Sequence, residues 1–204
     1  MTDYDAILMD VMLSFRESNR ARLRAALVTA ARELTIERGW ANVRMADVAA
    51  AAGVSRQTVY NEFAGRPGLA EALASAEVTQ FVAAMRADFF GCGGDARAAV
   101  RTAADHALQE AARNPLVQAV LTSGRGRADD LLPYLTTRSG LLLDAAGAVI
   151  REWAATFRPD CPSEAVQLAA ESLVRLTVSH LVLPLAPPDR TATALAEVFV
   201  RLLR

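Results

Sequence analysis

The chain has 204 residues, of which 52% are hydrophobic and 22% charged, and its formal net charge is −1. This length suits one medium domain or two small ones, and the apolar fraction excludes an intrinsically disordered chain. The longest uncharged run, residues 176–188, is too short to span a membrane, and the acidic start lacks the pattern of a secretory signal. We therefore expect a cytoplasmic protein with no membrane association.

Basic residues are unevenly distributed along the chain. Residues 16–66 contain nine arginines and five acidic residues, whereas residues 1–15 contain three acidic residues and no basic one. Every basic side chain is arginine, the better bidentate phosphate ligand, although compositional bias in an alanine-rich chain explains this equally simply. The distribution is a weak indication of an anionic partner for one part of the chain.

Apolar residues recur at helical spacing along nearly the whole chain, and no segment shows the sustained alternation of a strand. The sequence therefore predicts an all-α fold. In chain order, the predicted helices cover residues 4–15, 19–38, two short stretches within 44–63, then 67–90, 96–113, 116–122, 129–157, 163–183 and 190–203. Glycine or proline ends most of them, as at Gly39, at residues 91–94 and at Pro184. We expect three regions: an N-terminal extension helix (1–18), a small helical domain (19–66) and a larger helical domain (67–204).

The stretch VAAAAGVSRQTVYNEF, residues 48–63, combines a small-residue helix, a glycine bend and a polar helix. A steep helix crossing needs a small side chain, which Ala49 supplies, and the turn needs the left-handed backbone that Gly53 tolerates. Ser55 is a suitable N-cap for the second helix. That helix exposes hydrogen-bonding side chains suited to base edges and phosphates, although any two short helices joined by glycine share this spacing.

The region 20–69 resembles the DNA-binding domain of the TetR family of bacterial transcription regulators. The resemblance rests on AARELTIERGW, on VRMADVAAAAGVSRQTVYNEFAGRPGL and on their order. It implies an N-terminal helix-turn-helix DNA-binding domain followed by a C-terminal helical domain for ligand binding and dimerisation. The residues expected at DNA are Arg44, Ser55, Arg56, Gln57, Thr58, Tyr60, Asn61 and Arg66. Gln57 and Arg56 are the expected base readers, whereas Arg44, Tyr60 and Arg66 are expected to hold phosphates.

This sequence departs from the family pattern at two places in that region. Val43 and Arg44 stand where the first motif helix often begins with threonine or serine, so we expect Asn42 to replace the usual cap. Glu62 stands where a histidine commonly precedes the phenylalanine, and it would place an acid close to DNA. Both departures put the family's usual phosphate contacts in doubt.

In the C-terminal region, a polar stripe beside an apolar face suggests a ligand pocket, although a solvated face gives the same pattern. A histidine in that stripe, His106, could anchor a carboxylate or serve only as a structural residue. The candidate ligand-binding residues are Met85, Phe89, Thr102, His106, Gln109, Leu121, Tyr134, Leu142, Val149 and Trp153. Their apolar majority favours a hydrophobic or amphipathic small molecule, unless these side chains are plain core.

The last two predicted helices carry wide apolar stripes, which the family resemblance implies are paired with their two-fold mates in a homodimer. The candidate dimerisation residues are Leu173, Leu176, Leu181, Leu195, Val198, Phe199 and Leu202. The stripe between Tyr4 and Phe15 is expected to pack on its own subunit, or otherwise on the partner.

No catalytic motif accompanies these features. Two histidines and two cysteines are widely separated, and neither a nucleophile elbow nor a phosphate-binding glycine loop is present. We therefore expect no enzyme activity, cofactor or metal. The sequence favours a ligand-responsive repressor that binds a palindromic DNA operator as a dimer. Two alternatives stay open: a DNA-binding regulator without a small-molecule effector, and a helical carrier of hydrophobic molecules with a vestigial DNA-binding head.

Overall fold

In a computed structural model of the chain, residues 3–118 and 140–204 are described, and side chains from residue 15 onward within these ranges. The helices are α1 (Asp3–Arg38), a 3-10 turn (Trp40–Asn42), α2 (Met45–Ala51), α3 (Arg56–Phe63), α4 (Arg66–Gly91), α5 (Ala96–Arg113), α6 (Gly140–Phe157), α7 (Ser163–Val182) and α8 (Pro188–Leu202). The described residues contain no strand, so the predicted all-α class is confirmed. None of the helices in these ranges has both the length and the hydropathy to cross a bilayer.

The chain forms two compact units, Met1–Leu73 and Ala74–Arg204. The division lies inside α4 rather than at its first residue, where the sequence placed the boundary. Leu69 and Leu73, in the first turns of α4, are buried and belong to the N-terminal unit. A sequence-based boundary at the start of a helix misses such a case, because one helix can supply apolar side chains to two cores.

Helix α1 is a single helix where the sequence predicted two. No glycine or proline occurs between Asp3 and Arg38, so nothing in the sequence terminates the helix near residue 18. It ends where predicted, at Gly39, whose φ of 76° is open to glycine and strained for other residues. Phe15, the first position with a described side chain, is 66% exposed. The expected packing of that stripe on its own subunit therefore does not occur at Phe15.

The start of α2 differs from the expected capping. Asn42 donates its amide to the carbonyl of Arg38 at 2.7 Å and so closes the end of α1 instead of capping α2. The N-cap residue of α2 is Arg44, whose backbone N–H donates to the Asp47 carboxylate at 3.1 Å. Asp47 also forms an ion pair with Arg38 at 3.0 Å. The role of Asp47 was not predicted from the sequence, although an acid three residues after a cap position is half of a capping box.

The C-terminal unit has a core built from α4, α5, α6, α7 and α8. Trp153 at its centre is inaccessible to solvent, donates its indole N–H to the carbonyl of Gly93 at 2.8 Å, and packs edge-on against Phe89. Helix α8 packs against α5 and α7 through Leu195 and Phe199, both buried. The aromatic and leucine residues of these helices therefore stabilise the subunit's own core.

We expect Gly68→Ala to destabilise the N-terminal unit by about 1–3 kcal/mol, the usual cost of overpacking. A Cβ atom at Gly68 would lie 2.0 Å from the backbone oxygen of Phe63, which cannot move without disturbing the end of α3. Urea unfolding of the full chain measures the effect. The matched control is Gly91→Ala on the same helix, where nothing lies within 4 Å of the new Cβ. Equal unfolding midpoints for the two variants would contradict this packing.

Candidate nucleic-acid interface and apolar cavity

The turn between α2 and α3 has the backbone that the sequence predicted. Gly53 adopts a φ of 68°, and the N–H of Val54 donates to the carbonyl of Ala49 at 2.9 Å. Ser55 is the N-cap of α3, and its hydroxyl accepts a hydrogen bond from the N–H of Thr58 at 3.1 Å. Ala49 is 3% exposed, so the crossing point of the two helices is occupied by a small buried side chain. These local contacts form a helix-turn-helix and fix where α3 begins.

Helix α3 is buried along one side and polar along the other. Val59 and Phe63 face the core of the N-terminal unit. Ser55, Arg56, Gln57, Tyr60 and Asn61 are exposed, and Thr58 is half-buried. Six candidate DNA-binding residues thus lie together around the exposed part of one short helix.

The exposed side chains of α3 bond to one another along the helix. Gln57 donates its amide to the Asn61 side-chain oxygen at 2.8 Å, and Arg56 donates to the Tyr60 hydroxyl at 3.2 Å. These are i, i+4 pairs at the surface, worth only a few tenths of a kcal/mol each. Such weak bonds orient the polar groups and are readily exchanged for bonds to a ligand.

The two other candidate arginines are placed differently. Arg44 is exposed just before α2, where its guanidinium can reach a ligand. Arg66 donates to the backbone carbonyl of Trp40 at 2.6 Å and lies over the indole ring, with its guanidinium carbon 4.9 Å from the ring centroid. The structure therefore uses Arg66 to tie the start of α4 to the turn after α1, a contact that the sequence analysis did not predict.

Glu62 is not an exposed acid next to the polar face of α3. Its side chain is 8% exposed, and its carboxylate accepts from Arg20 at 3.0 Å and from Arg24 at 3.1 Å. Arg24 also donates to the Glu62 backbone carbonyl at 3.3 Å and lies over the Phe63 ring. Two arginines of α1 thus compensate the charge of Glu62 and hold the end of α3.

The C-terminal unit contains an apolar cavity of about 70 Å³ that is partly open to solvent. Four candidate ligand-binding residues line it: Met85, Phe89, Leu142 and Val149. Further wall residues were not predicted from the sequence: Phe81, Ala103, Ala104, Ala107, Ala146, Ile150, Leu173, Val174, Thr177, Val178 and Leu181. The signal for Ala103, Ala104 and Ala107 was the run of alanines on the buried face of α5, because small side chains leave space beside a helix.

Thr177 is the polar side chain among the described lining residues of this cavity, and it donates its hydroxyl to the carbonyl of Leu173 at 2.8 Å. A second cavity of about 90 Å³ shares four walls with the first: Phe81, Leu142, Val178 and Leu181. It adds polar groups at one end, where Asn114 donates to the Glu77 carboxylate at 3.1 Å and Glu110 also lines the wall. Together the cavities are apolar inside and polar at one end.

Four of the candidate ligand-binding residues lie elsewhere. Thr102 and His106 are exposed on α5, and Gln109 bonds to Asp105 at 2.8 Å along the same helix. His106 lines a neighbouring cleft that shares Glu77, Phe81, Glu110 and Asn114 with the second cavity, and its Nδ1 lies 2.6 Å from Asp88. The polar stripe of α5 is therefore its outer face, because the alanine-rich side packs inward. Trp153 belongs to the core rather than to the cavity walls.

The remaining candidates, Leu121 and Tyr134, lie outside the described residues.

The candidate dimerisation residues are divided between the surface and the interior. Leu173, Leu195 and Phe199 are buried in the subunit's own core. Leu181 and Leu202 are partly buried, and Leu181 lines both cavities. Leu176 and Val198 remain exposed, at 37% and 40%. The apolar surface available for dimerisation is therefore smaller than the sequence indicated, because one side of each apolar stripe packs in the subunit's own core.

Family models match both units of the chain. Residues 27–73 match the model described as bacterial regulatory proteins of the tetR family, and residues 95–201 match that of the bacterial tetracyclin repressor C-terminal domain. The chain is 31% identical over 191 residues to the HTH-type transcriptional regulator AlkX of Mycobacterium tuberculosis, covering 91% of this chain and 87% of that protein.

Solved structures show the same architecture. The TetR-family repressor AlkX of Dietzia sp., implicated in biodegradation of n-alkanes, is 32% identical with a TM-score of 0.71, over 88% of this chain and 94% of that one. RolR in complex with resorcinol shares 19% identity and a TM-score of 0.68, over 92% and 90% of the two chains. The repressor FadR of Thermus thermophilus, in complex with lauroyl-CoA, shares 20% identity and a TM-score of 0.59, over 88% and 92%. Family models match both units, and a relative is 31% identical over 91% of this chain. The chain therefore belongs to the TetR family of transcriptional regulators.

Proposed function

We propose that this regulator is a cytoplasmic repressor that binds a palindromic operator as a homodimer and is released by a hydrophobic or amphipathic small molecule. The observation that carries the proposal is the polar outer side of α3, which is braced on a buried side formed by Val59 and Phe63. Because the core fixes the helix, its outer side chains are presented together to a DNA groove. Family membership supports DNA as the partner.

In the proposed complex, α3 lies in the major groove. The Gln57 amide pairs a donor with an acceptor, and the Arg56 guanidinium presents paired donors. Both patterns distinguish base edges. Tyr60, Arg44 and Arg66 contact phosphates, while Ser55, Thr58 and Asn61 complete the polar surface. Contacts to phosphates position the protein, and contacts to base edges give the sequence preference.

Dimerisation supplies the second half of the recognition. One short helix reads only a few base pairs, whereas two copies about 34 Å apart read a palindrome. The exposed leucines and valines of α7 and α8 support an interface there. They are Leu168, Leu176, Val182 and Val198.

We expect the double substitution Leu176→Glu and Val198→Glu to weaken the dimer at least about 100-fold, because each carboxylate would lose water on association without gaining a partner. Sedimentation velocity over a range of protein concentrations measures the dissociation constant. The control is Thr193→Glu, an exposed position elsewhere on α8. A double variant that dimerises as tightly as the control would exclude this face.

The effector is proposed to occupy the apolar cavity of the C-terminal unit. Among the described residues that line the first cavity, the one side-chain donor, the Thr177 hydroxyl, already bonds to a backbone carbonyl, so the lining favours an apolar ligand. In the second cavity, Glu77, Glu110 and Asn114 offer polar contacts at one end. RolR and FadR hold small molecules in their structures, and the similarity to the Dietzia repressor supports an aliphatic effector. The effector releases DNA by favouring a spacing of the two recognition helices that the operator does not fit. Because α4 belongs to both units, a tilt of this helix is the proposed link.

Fluorescence anisotropy tests the proposed function. The labelled probe is the DNA upstream of the protein's own gene, and the competitor is a scrambled duplex of equal length, at about 0.15 M salt where the Debye length is about 8 Å. We expect the natural fragment to bind at least about 1,000-fold more tightly, the lower end of specific recognition. Equal affinity for the two duplexes would refute the proposal.

A further inference from the structure

We propose that Arg20 of α1 is an additional DNA-phosphate ligand, oriented by Glu62 and placed along the flank of α3 opposite to Tyr60. The inference rests on the proposed function, because it assumes that the outer side of α3 faces DNA. It adds to the interface a residue that lies outside the helix-turn-helix.

The angular positions on α3 define two flanks. At 100° per residue, Gln57 and Asn61 lie opposite the buried pair of Val59 and Phe63. Tyr60 borders the outer side on one flank and Thr58 borders it on the other, where Glu62 follows Thr58 at a position nearer the buried side. The major groove is bounded by two phosphate backbones, so a helix seated in it has phosphates along both flanks. Tyr60 serves one flank, and Glu62 cannot itself serve the other because it is an acid.

Arg20 supplies the missing positive charge on the Glu62 flank. Its Nε donates to the Glu62 carboxylate at 3.0 Å, which holds the guanidinium beside Glu62. The side chain is 70% exposed, and its two Nη nitrogens make no hydrogen bond within the described part of the chain. A guanidinium held through Nε still presents its Nη donors in the geometry that matches a phosphate.

Arg24 completes the arrangement without competing for the phosphate. Its guanidinium bonds to the carboxylate and to the backbone carbonyl of Glu62 and lies 4.7 Å from the centre of the Phe63 ring. Because Arg24 already offsets the charge of Glu62, Arg20 leaves the cluster with a net positive charge. The acid at position 62, where the family commonly has a histidine, is then compensated by a cation from α1 and does not weaken the DNA-binding surface.

Arg20→Gln is the test variant, and Arg22→Gln is the matched control: the same charge change on the same helix, about 200° around it and exposed. Binding to the upstream fragment is titrated by anisotropy from about 0.05 to 0.3 M salt. We expect Arg20→Gln to reduce the slope of log affinity against log salt by about 0.9 for each Arg20 at a phosphate. Arg22→Gln should keep the slope of the unmodified protein.

Each outcome decides the inference. Identical slopes for the two variants overturn it, as does a loss of affinity by Arg20→Gln with the slope unchanged, which indicates a purely structural role. A melting temperature of Arg20→Gln below the assay temperature also overturns it, because an ion pair with an arginine this exposed should contribute little stability. If the unmodified protein binds no duplex, the proposed function fails and this inference with it; if it binds and only the slope prediction fails, the proposed function stands.

Discussion

Gln57→Ala is expected to weaken binding to the operator by about 5- to 150-fold for each half-site while leaving the affinity for scrambled DNA unchanged. A bidentate side-chain contact to a base contributes about 1–3 kcal/mol of discrimination, and its loss does not alter the phosphate contacts that give non-specific affinity. Gln57 is exposed, and among the described residues its amide bonds to Asn61, one helical turn further on and also exposed, so truncation leaves no buried group there without a partner. The fold of α3 should therefore be unaffected.

Competition anisotropy with the two duplexes measures this ratio directly. Gln167→Ala is the control, since it removes an exposed glutamine from α7 in the other unit. Arg44→Ala supplies the contrast: removing a phosphate contact should weaken both duplexes equally and lower the salt dependence. A Gln57→Ala protein that retains full preference for the operator would remove Gln57 from the base readers.

Ala104→Phe is expected to weaken ligand binding at least tenfold. Ala104 lines the apolar cavity and is 5% exposed, so a phenyl group there occupies the space between α5 and the opposite walls. A ligand excluded from this space loses its apolar contacts, and tenfold corresponds to about 1.4 kcal/mol.

The neutral fluorophore N-phenyl-1-naphthylamine serves as the probe, because its fluorescence rises in apolar surroundings. Titration gives its affinity for the unmodified protein, for Ala104→Phe and for the control Ala112→Phe, at an exposed position of the same helix. We expect saturable binding by the unmodified protein and the control. Equal binding by all three proteins would show that the probe, and by inference the effector, does not use this cavity.

The parts of the fold that were predictable depend on local chemistry. Gly39 ends α1, Gly53 makes the turn, and Ser55 caps α3, because each acts within a few residues of its own position. The helices α5, α7 and α8 were likewise placed within two residues of their observed ends. The continuity of α1 through residue 18 was not predicted, because the apolar spacing is interrupted there and such an interruption can be mistaken for the end of a helix.

The parts that were not predictable depend on which side of a helix faces the core. The polar stripe containing His106 was considered for a ligand pocket, but it is exposed. The apolar stripe containing Phe199 was considered for the dimer interface, but Phe199 is buried in the core of its own subunit. Periodicity cannot distinguish a core face from an interface or a pocket wall, since all three are apolar. The pairing of Glu62 with Arg20 was hidden for another reason: 42 residues separate them, and no local pattern connects them.

In the proposed complex, two recognition helices of one dimer read a single operator at a fixed spacing. Hydroxyl-radical footprinting of the protein on the DNA upstream of its gene tests it most directly. We predict two protected segments of related sequence, inverted with respect to each other, with centres about one helical turn apart or a multiple of it. A single protected segment, or protection that does not depend on sequence, would contradict the account.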